Sequence, residues 1–414
     1  MLKKRVLLFI AVCFLNGFNR LNSQETIKTM FYNLLNFSEA PPTDRADILN
    51  NILATYQPDI FMVAELQSPA DRDLILNNSF NYTGQNITAA PFVFNTSGFA
   101  SLNQLVFYDD DKMTLISSTQ IQTNIRDINH YKFELSTNQN EILDVFVAHF
   151  KAAQGDENVQ ERLAEANAFI NYASNNLTSN SNVIFGGDFN FYTAQEPAFQ
   201  TILFGTQSLS FLDPINRMGD WNSNFNFQDV HTQSTRLSNN SFDNFGAGGG
   251  LDDRFDFIFI SDNLTSDSNP IRYAEGSYKA YGNNANCYND NINFSNCTGT
   301  FSQSLRDLLY DMSDHLPVVM NLEIDSNFLA SQQFQLNNSV SFLEGNLVSE
   351  RLQLQFNDNV IGKKLRIYNQ LGQLVKLHTI ESNIESLDIE SFNNGFFFLK
   401  IEHLDGALKF IKNQ

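Results

Sequence analysis

Cysteine is nearly absent: the 414 residues hold three, beside six histidines. So few sulfur and imidazole donors exclude a closed tetrahedral zinc site as an organising element. Basic residues are scarce as well, 26 Lys and Arg against 46 Asp and Glu, for a formal net charge of −20. A protein that grips a polyanion by displacing its counterions is basic. This chain must instead admit such a substrate through bound cations and a few local Lys or Arg, or act on something small. Long apolar runs are missing too. Only residues 6–15 stand out, and that stretch is too short to span a bilayer.

What precedes that run is Lys3-Lys4-Arg5, and polar residues follow it to Gln24. A basic head and a short apolar core are the pattern of a secretory signal peptide, expected over residues 1–24. A lipoprotein would need a small residue directly before Cys13, where Val12 stands. With no other long apolar segment, no transmembrane segment is expected and the exported chain reads as soluble. Export leaves Cys287 and Cys297 in a Gly/Asn/Ser-rich loop, where a disulfide closing so short a loop contributes about 2–3 kcal/mol at most. The charge divides unevenly: residues 25–339 contain 14 basic and 37 acidic residues, a net of −23, whereas 340–414 contain eight and nine.

A chain of this length exceeds one ordinary core, so a large domain and a smaller one are expected. Between residues 25 and 325, apolar runs of strand length (27–32, 59–64, 104–108, 143–148, 182–185, 254–260 and 316–324) alternate with amphipathic stretches. Residues 44–54 and 160–175 place apolar side chains at helical spacing. Strands buried under helices are implied. Residues 326–339 form a polar Asn/Gln/Ser linker, and from 340 to 414 the texture is all-β, with Asp405-Gly406 between two alternating runs as a hairpin signal. A small β-sandwich of about 75 residues follows.

Six places set polar, metal- or proton-competent residues at the ends of apolar runs: Asn33, Glu65, His149, the run Gly186-Gly187-Asp188-Phe189-Asn190, Asp256, and Asp314-His315. Taken singly, an Asn or Glu after a strand is a turn or cap residue, a lone His is structural, and Gly-Gly-Asp is a tight turn. Asp256 is harder to dismiss, because a carboxylate among Phe255, Phe257, Ile258 and Phe259 requires a partner. Together they describe a site. Strands of one sheet can deliver Glu65, Asp188 and Asp314 to a common rim as oxygen ligands of a hard cation. His315 could sit against Asp256, which would fix its tautomer and raise its basicity, while Asn33 and Asn190 orient a ligand or water.

These blocks, namely Phe31-Tyr32-Asn33-Leu34-Leu35-Asn36, Val63-Ala64-Glu65-Leu66, the Gly-Gly-Asp-Phe-Asn at 186–190, Arg254-Phe255-Asp256-Phe257-Ile258 and Ser313-Asp314-His315-Leu316-Pro317-Val318, resemble in order the signatures of the endonuclease/exonuclease/phosphatase superfamily. That resemblance implies an α/β four-layered sandwich: two packed mixed β-sheets with outer helices, over residues 25–325, followed here by the small C-terminal β-sandwich. It implies a phosphodiesterase using Mg²⁺, or Mn²⁺ or Ca²⁺, which the leader makes a secreted one, with Glu65 as principal metal ligand assisted by Asn33, and Asp314 as a further carboxylate beside the metal. Asp188 and Asn190 would activate water and stabilise the transition state, and His315 paired with Asp256 would act as base or hold the scissile phosphate. His149 resembles the second histidine of the deoxyribonuclease branch, which makes nucleic acid the expected substrate. That branch supports the histidine with a glutamate, where the nearest candidate is Gln104; relatives often read Gly-Asn-Asp-Gly where this chain has Gly282-Asn283-Asn284-Ala285. Arg126 and Lys151 are candidate phosphate contacts and Arg162 a weaker one, each with a solvated surface charge as its plain alternative. A lipid or sugar phosphoesterase, marked by an exposed apolar loop within 80–99, is the same-chemistry alternative; a non-catalytic surface binding protein is the other.

Past residue 340, Leu365-Arg366-Ile367-Tyr368-Asn369-Gln370-Leu371-Gly372, Asn393-Asn394-Gly395-Phe396-Phe397-Phe398 and the basic end 409–412 resemble a type IX secretion C-terminal sorting domain. The resemblance implies the type IX secretion machinery as partner and a secreted or cell-surface location. A carbohydrate-binding module is the alternative.

Overall fold

The computed structural model describes residues 24–81, 84–99, 101–137, 141–325, 336, 339–402, 404 and 407–413. The expected leader, most of the expected linker and the Asp405-Gly406 turn lie outside the described residues. Two compact units are present, the first being Gln24–Ser326.

In chain order the first unit carries β1 (Gln24–Phe37), α1 (Arg45–Tyr56), β2 (Ile60–Leu66), α2 (Pro69–Asn78), β3 (Ile87–Ala89), β4 (Asn103–Asp109), β5 (Met113–Ile121), β6 (Ile128–Leu135), β7 (Ile142–His149), α3 (Asp156–Asn176), β8 (Asn182–Asp188), α4 (Pro197–Phe204), β9 (Phe211–Leu212), β10 (Asp256–Ser261), β11 (Ile271–Tyr273), β12 (Lys279–Ala280), α5 (Gln303–Met312) and β13 (Val318–Asp325). One sheet has the order β11-β13-β1-β2-β4-β3, with β12 also on β13; the other runs β5-β6-β7-β8-β10-β9. Both are mixed, since β1/β2 and β7/β8 are parallel and their other neighbours antiparallel.

Strands β2, β4 and β8 are buried at every position, the composition of strands covered on both faces. On one side Leu49, Ile52 and Leu53 of α1 and Leu309 and Met312 of α5 share a core with the first sheet. On the other, Phe169 of α3 and Phe199 of α4 pack with Phe185, Phe257 and Phe259 of the second. Between them the sheets face each other, Met62 and Phe31 against Gly186. This is the four-layered sandwich.

The two glycines before Asp188 have separate steric reasons. A Cβ on Gly186 would stand 2.7 Å from Met62 Sδ and 3.3 Å from Phe31 Cβ, so the glycine lets the sheets close. A Cβ on Gly187 would meet the Ala148 carbonyl oxygen at 2.8 Å and the Phe189 ring at 3.0 Å.

The second unit contains β14 (Val340–Phe342), β15 (Leu347–Val348), β16 (Arg351–Phe356), β17 (Lys364–Asn369), β18 (Leu374–Thr379), β19 (Ile384–Asp388), β20 (Gly395–Ile401) and β21 (Leu408–Lys412). A three-stranded sheet, β14-β16-β19, and a five-stranded one, β15-β21-β20-β17-β18, share a core of Leu352, Leu354 and Phe356 with Leu365, Ile367, Leu399 and Phe410. Alternating burial along β16 and β20 is the half-buried pattern that the sequence displays.

Candidate active site

Parallel pairing of β7 with β8 places His149 opposite Asp188, and antiparallel pairing of β8 with β10 places Asp256 opposite Asp188. Three strand ends thus meet at one rim of the second sheet. Strands β1 and β2 of the facing sheet bring Asn33 and Glu65 to the same place. Asn33 is not terminal as its apolar run suggests: β1 continues to Phe37, and its pairing with β2 changes register after Asn33. That irregularity turns Leu35 and Asn36 into the left-handed region (φ 45° and 44°) and aims the Asn36 N–H at Glu65 Oε2, 2.9 Å away.

Asn33 is fully buried and ties the two sheets together. Its Nδ2 donates to Glu65 Oε1 at 2.9 Å and to Asp188 Oδ2 at 3.0 Å, while its Oδ1 accepts from Leu35 N at 3.0 Å. The amide therefore presents nitrogen to the two carboxylates. Glu65 (φ 67°) and Asn190 (φ 53°) are also left-handed. Asn tolerates that region, but for glutamate it is strained, at about 1–3 kcal/mol, a cost borne where the side chain must reach one place.

Asp256 Oδ2 lies 2.8 Å from His315 Nδ1, the pairing expected. Around His315 Nε2 stand Gln233 Nε2 at 2.7 Å, Asn33 Nδ2 at 3.5 Å and Asp188 Oδ2 at 3.7 Å. Burial alone would depress this histidine, yet Asp256, Asp188 and Asp314 together hold its basicity well above the usual range. His149 goes the other way. Burial first, then Arg126 and His315, drive it well below the usual value, and its Nδ1 and Nε2 lie 3.8 Å from Glu65 Oε1 and 3.5 Å from Asp188 Oδ2. Asp188 is pushed up to about 7, chiefly by burial, with Asp256 and Glu65 adding to it and His315 and Asn33 opposing it.

A hard cation fits this donor set. Glu65, His149 and Asp188 form one group of converging ligand atoms, and Asp188, Asp256 and His315 another. Buried atoms without a hydrogen-bond partner among the described residues include His149 Nδ1, Asp256 Oδ1 and Asp314 Oδ1. Asp314 stands outside both groups; its Oδ2 accepts from Gln233 Nε2 at 2.9 Å and Ala247 N at 2.7 Å, and its Oδ1 has no partner among the described residues.

The basic candidates have different fates. Arg126 is buried, its Nε donating to His149 O at 2.7 Å and its Nη2 to Phe150 O at 2.5 Å, so it fixes the loop that follows His149. Lys151 stays partly exposed on that loop. Arg162 is neither a surface charge nor a rim residue: it is fully buried, with Glu196 at 2.8 Å and the carbonyls of Lys151 and Ala153 as partners. Gln104 is buried with an unpartnered Nε2. Asn283 supports the carbonyls of Gln228 and His231. Cys287 and Cys297 are joined as a disulfide, with Cα atoms 5.3 Å apart.

Sequence patterns did not single out Gln233, which touches both Asp314 and His315, or the glycine-rich segment that covers Asp314. A Cβ on Gly246 (φ 78°) would fall 2.8 Å from the Asp314 carboxylate carbon. The run Gly246-Ala247-Gly248-Gly249-Gly250 was the available signal; Gln233 offered none. Arg45 was missed as well. Its buried guanidinium donates to the carbonyls of Leu34, Leu35, Ala40 and Met312, joining the irregular end of β1 and the turn after it to the segment that leads into Asp314.

Comparison with known proteins gives likenesses for both units. D. rerio TDP2 complexed with a single-strand DNA product is similar over 72% of this chain and 98% of that chain, at 16% identity and a TM-score of 0.48. The human Nocturnin catalytic domain with bound sulfate is similar over 73% and 97%, at 14% identity and 0.47. An endonuclease/exonuclease/phosphatase from Bacteroides vulgatus is similar over 72% and 99%, at 14% and 0.47. No curated protein matches. No helix among the described residues is long and apolar enough to cross a membrane. Residues 346–413 match the family model described as the secretion system C-terminal sorting domain, which indicates export to a secreted or cell-surface location.

Proposed function

We propose that the first unit is a divalent-metal-dependent phosphodiesterase and that extracellular nucleic acid is its substrate. The observation that carries this reading is the convergence of Glu65, Asp188, the Asp256–His315 pair and Asn33 from both sheets on one rim. Glu65 and Asp188 would hold Mg²⁺, or Mn²⁺ or Ca²⁺, with the unpartnered Oδ1 of Asp314 as a further oxygen donor and Asn33 keeping the two carboxylates in place. Bound there, the ion supplies Lewis acidity that offsets phosphate charge.

A cation beside Glu65 and Asp188 would offset the carboxylate charge that favours a doubly protonated His315. The neutral ring then takes the proton of the attacking water at Nε2 while Asp256 keeps Nδ1 protonated and steadies the imidazolium that forms. Asn190, anchored through Nδ2 on Phe150 O at 3.2 Å, orients the water. His149, kept neutral by burial and Arg126, suits a hydrogen bond to the phosphate better than proton delivery. With 14 basic against 37 acidic residues over 25–339, charge compensation falls to the ion and to Lys151.

One observation favours a lipid phosphodiester instead. Residues 74–108 contain no charged side chain, and within them Phe94 is 59% exposed and Phe99 fully exposed. The loop that carries these rings, between β3 and β4, is fastened near the rim, with Asn103 Nδ2 of β4 donating to Leu66 O and Asp127 accepting from Thr96 and Ser97. Exposed aromatic rings on an uncharged loop suit a neutral lipid surface. Duplex DNA, single-stranded DNA, RNA and sphingomyelin offered to the purified enzyme with Mg²⁺ separate the two. Cleavage of a nucleic acid is expected; cleavage of sphingomyelin alone overturns the nuclease reading, and cleavage of none overturns the phosphodiesterase.

A further inference from the structure

The five-stranded sheet of the second unit has an unusual charge distribution. Its strands β15, β17, β18, β20 and β21 carry six basic residues and no acidic one, although the segment 340–414 as a whole has nine acidic residues against eight basic ones. Lys364, Arg366, Lys400 and Lys409 lie on the outward face, whereas Lys376 stands opposite Ile367 and Lys412 is buried. Acidic side chains are confined to the other sheet, the turns and the loops.

Pairing register defines the outward face. Leu365, Ile367, Phe397, Leu399 and Phe410 point into the core. Their alternates point out: Tyr368 opposite Phe398, Arg366 opposite Lys400, Phe398 opposite Lys409, and Leu377 opposite Arg366. At the centre of this face Phe396 and Phe398 are 42% and 36% exposed, and at its edge strand Leu374 and Leu377 are 51% and 54% exposed. The Lys409 ammonium lies 3.9 Å over the Phe396 ring. Glu402, just past β20, is an acidic neighbour of two of the basic residues: it lies 3.3 Å from Arg366 and also feels the charge of Lys364. Asn369, Leu371 and Phe396 also border a cleft of about 490 Å³ at one end of the sheet.

Large apolar side chains exposed together and ringed by charge of one sign mark an interaction surface. We propose that this outward face is the surface by which the second unit is recognised during export, and that it binds a protein partner whose own face presents acidic residues around an apolar centre. The segment matched as a sorting domain, residues 346–413, contains all five strands. A protein is favoured over an anionic lipid because the rings lie along a flat sheet; bilayer insertion uses a protruding amphipathic element. At about 4.8 Å per strand and some 18 Å of strand length the face offers roughly 400 Å², below the ~800 Å² per partner of a stable complex and suited to a transient encounter. The inference is independent of the hydrolytic reading of the first unit.

Its test uses the full chain in its native secreting host. Lys400→Glu with Lys409→Glu, and separately Phe396→Ser with Phe398→Ser, alter the face; Arg351→Glu with Ile384→Ser makes matched changes on the three-stranded sheet. Each chain is followed by cell fractionation, and its melting temperature is measured after purification. Both face variants are expected to leave at least tenfold less protein outside the cell with melting unchanged, Lys400→Arg with Lys409→Arg to restore export, and the control pair to be exported as wild type. Export of the face variants within twofold of wild type, or an equal loss in the control, would overturn the proposal. So would flotation of the wild-type chain, but not of the face variants, with phosphatidylglycerol vesicles, which would assign the face to an anionic lipid.

Discussion

Gln233 and His315 face each other nitrogen to nitrogen, 2.7 Å apart, while the same Gln233 amide nitrogen donates to Asp314. An NH₂ group can donate to His315 Nε2 only if that nitrogen is bare. Gln233 therefore opposes the second proton that the nearby carboxylates favour on His315 and, in the neutral ring, selects the tautomer with its proton on Nδ1, against Asp256, which is the tautomer a base acting through Nε2 requires. Gln233→Ala should lower kcat about 10- to 100-fold, the usual range for a residue that orients a catalytic group, with an unchanged melting temperature. Steady-state kinetics check this, and a wild-type kcat in the folded variant would remove the role.

Gly186 is where the two sheets come closest. Gly186→Ala drives a methyl against Met62 Sδ and Phe31 Cβ and should destabilise by about 1–3 kcal/mol. Met62→Ala opens a cavity and costs stability on its own, but in the double variant each change relieves the other. Urea unfolding of the four chains should give a double-variant loss well below the sum of the single losses. Additive losses would show that the methyl is accommodated elsewhere.

His231 is pushed down to about 4, chiefly by burial, with its Nε2 against Trp221 O at 2.9 Å. Its folded value lies below the ordinary one of about 6.5, so the unfolded chain binds the proton more readily. Stability from this group is present above pH 6.5 and is lost as pH falls toward 4, by about 3 kcal/mol in full. His231→Gln, which keeps a donor near Trp221 O, should flatten that part of the pH profile. Urea titrations between pH 7 and 4 check it; equal slopes in variant and wild type would contradict it.

Much of this architecture was readable because burial and period agree. Runs 143–148 and 182–185 became β7 and β8, and 160–175 became the body of α3, since strands covered on both faces are simply apolar and a surface helix repeats at 3.6 residues. Strand β5 escaped because Ser117, Ser118 and Thr119 lie on an edge that buries little, and β18 because its side chains are mostly exposed. The residues of the rim stood out because Asn33, Glu65, His149 and Asp188 follow apolar runs, Asp256 interrupts one and Asp314-His315 precede one. Gln233 did not, since it is delivered by an irregular segment and held by isolated bridges to Asp253 and His315. Arg162 was misjudged because an ion pair with Glu196, distant in sequence, is invisible until the chain folds.

The most direct test of the central claim is hydrolysis of bis(p-nitrophenyl) phosphate by wild-type protein and by Glu65→Ala, with Mg²⁺, after EDTA, and after Mg²⁺ is restored. Wild-type activity is expected to disappear with EDTA and return with Mg²⁺, and Glu65→Ala to show none although it melts as the wild type does. Undiminished hydrolysis by Glu65→Ala in EDTA would contradict it.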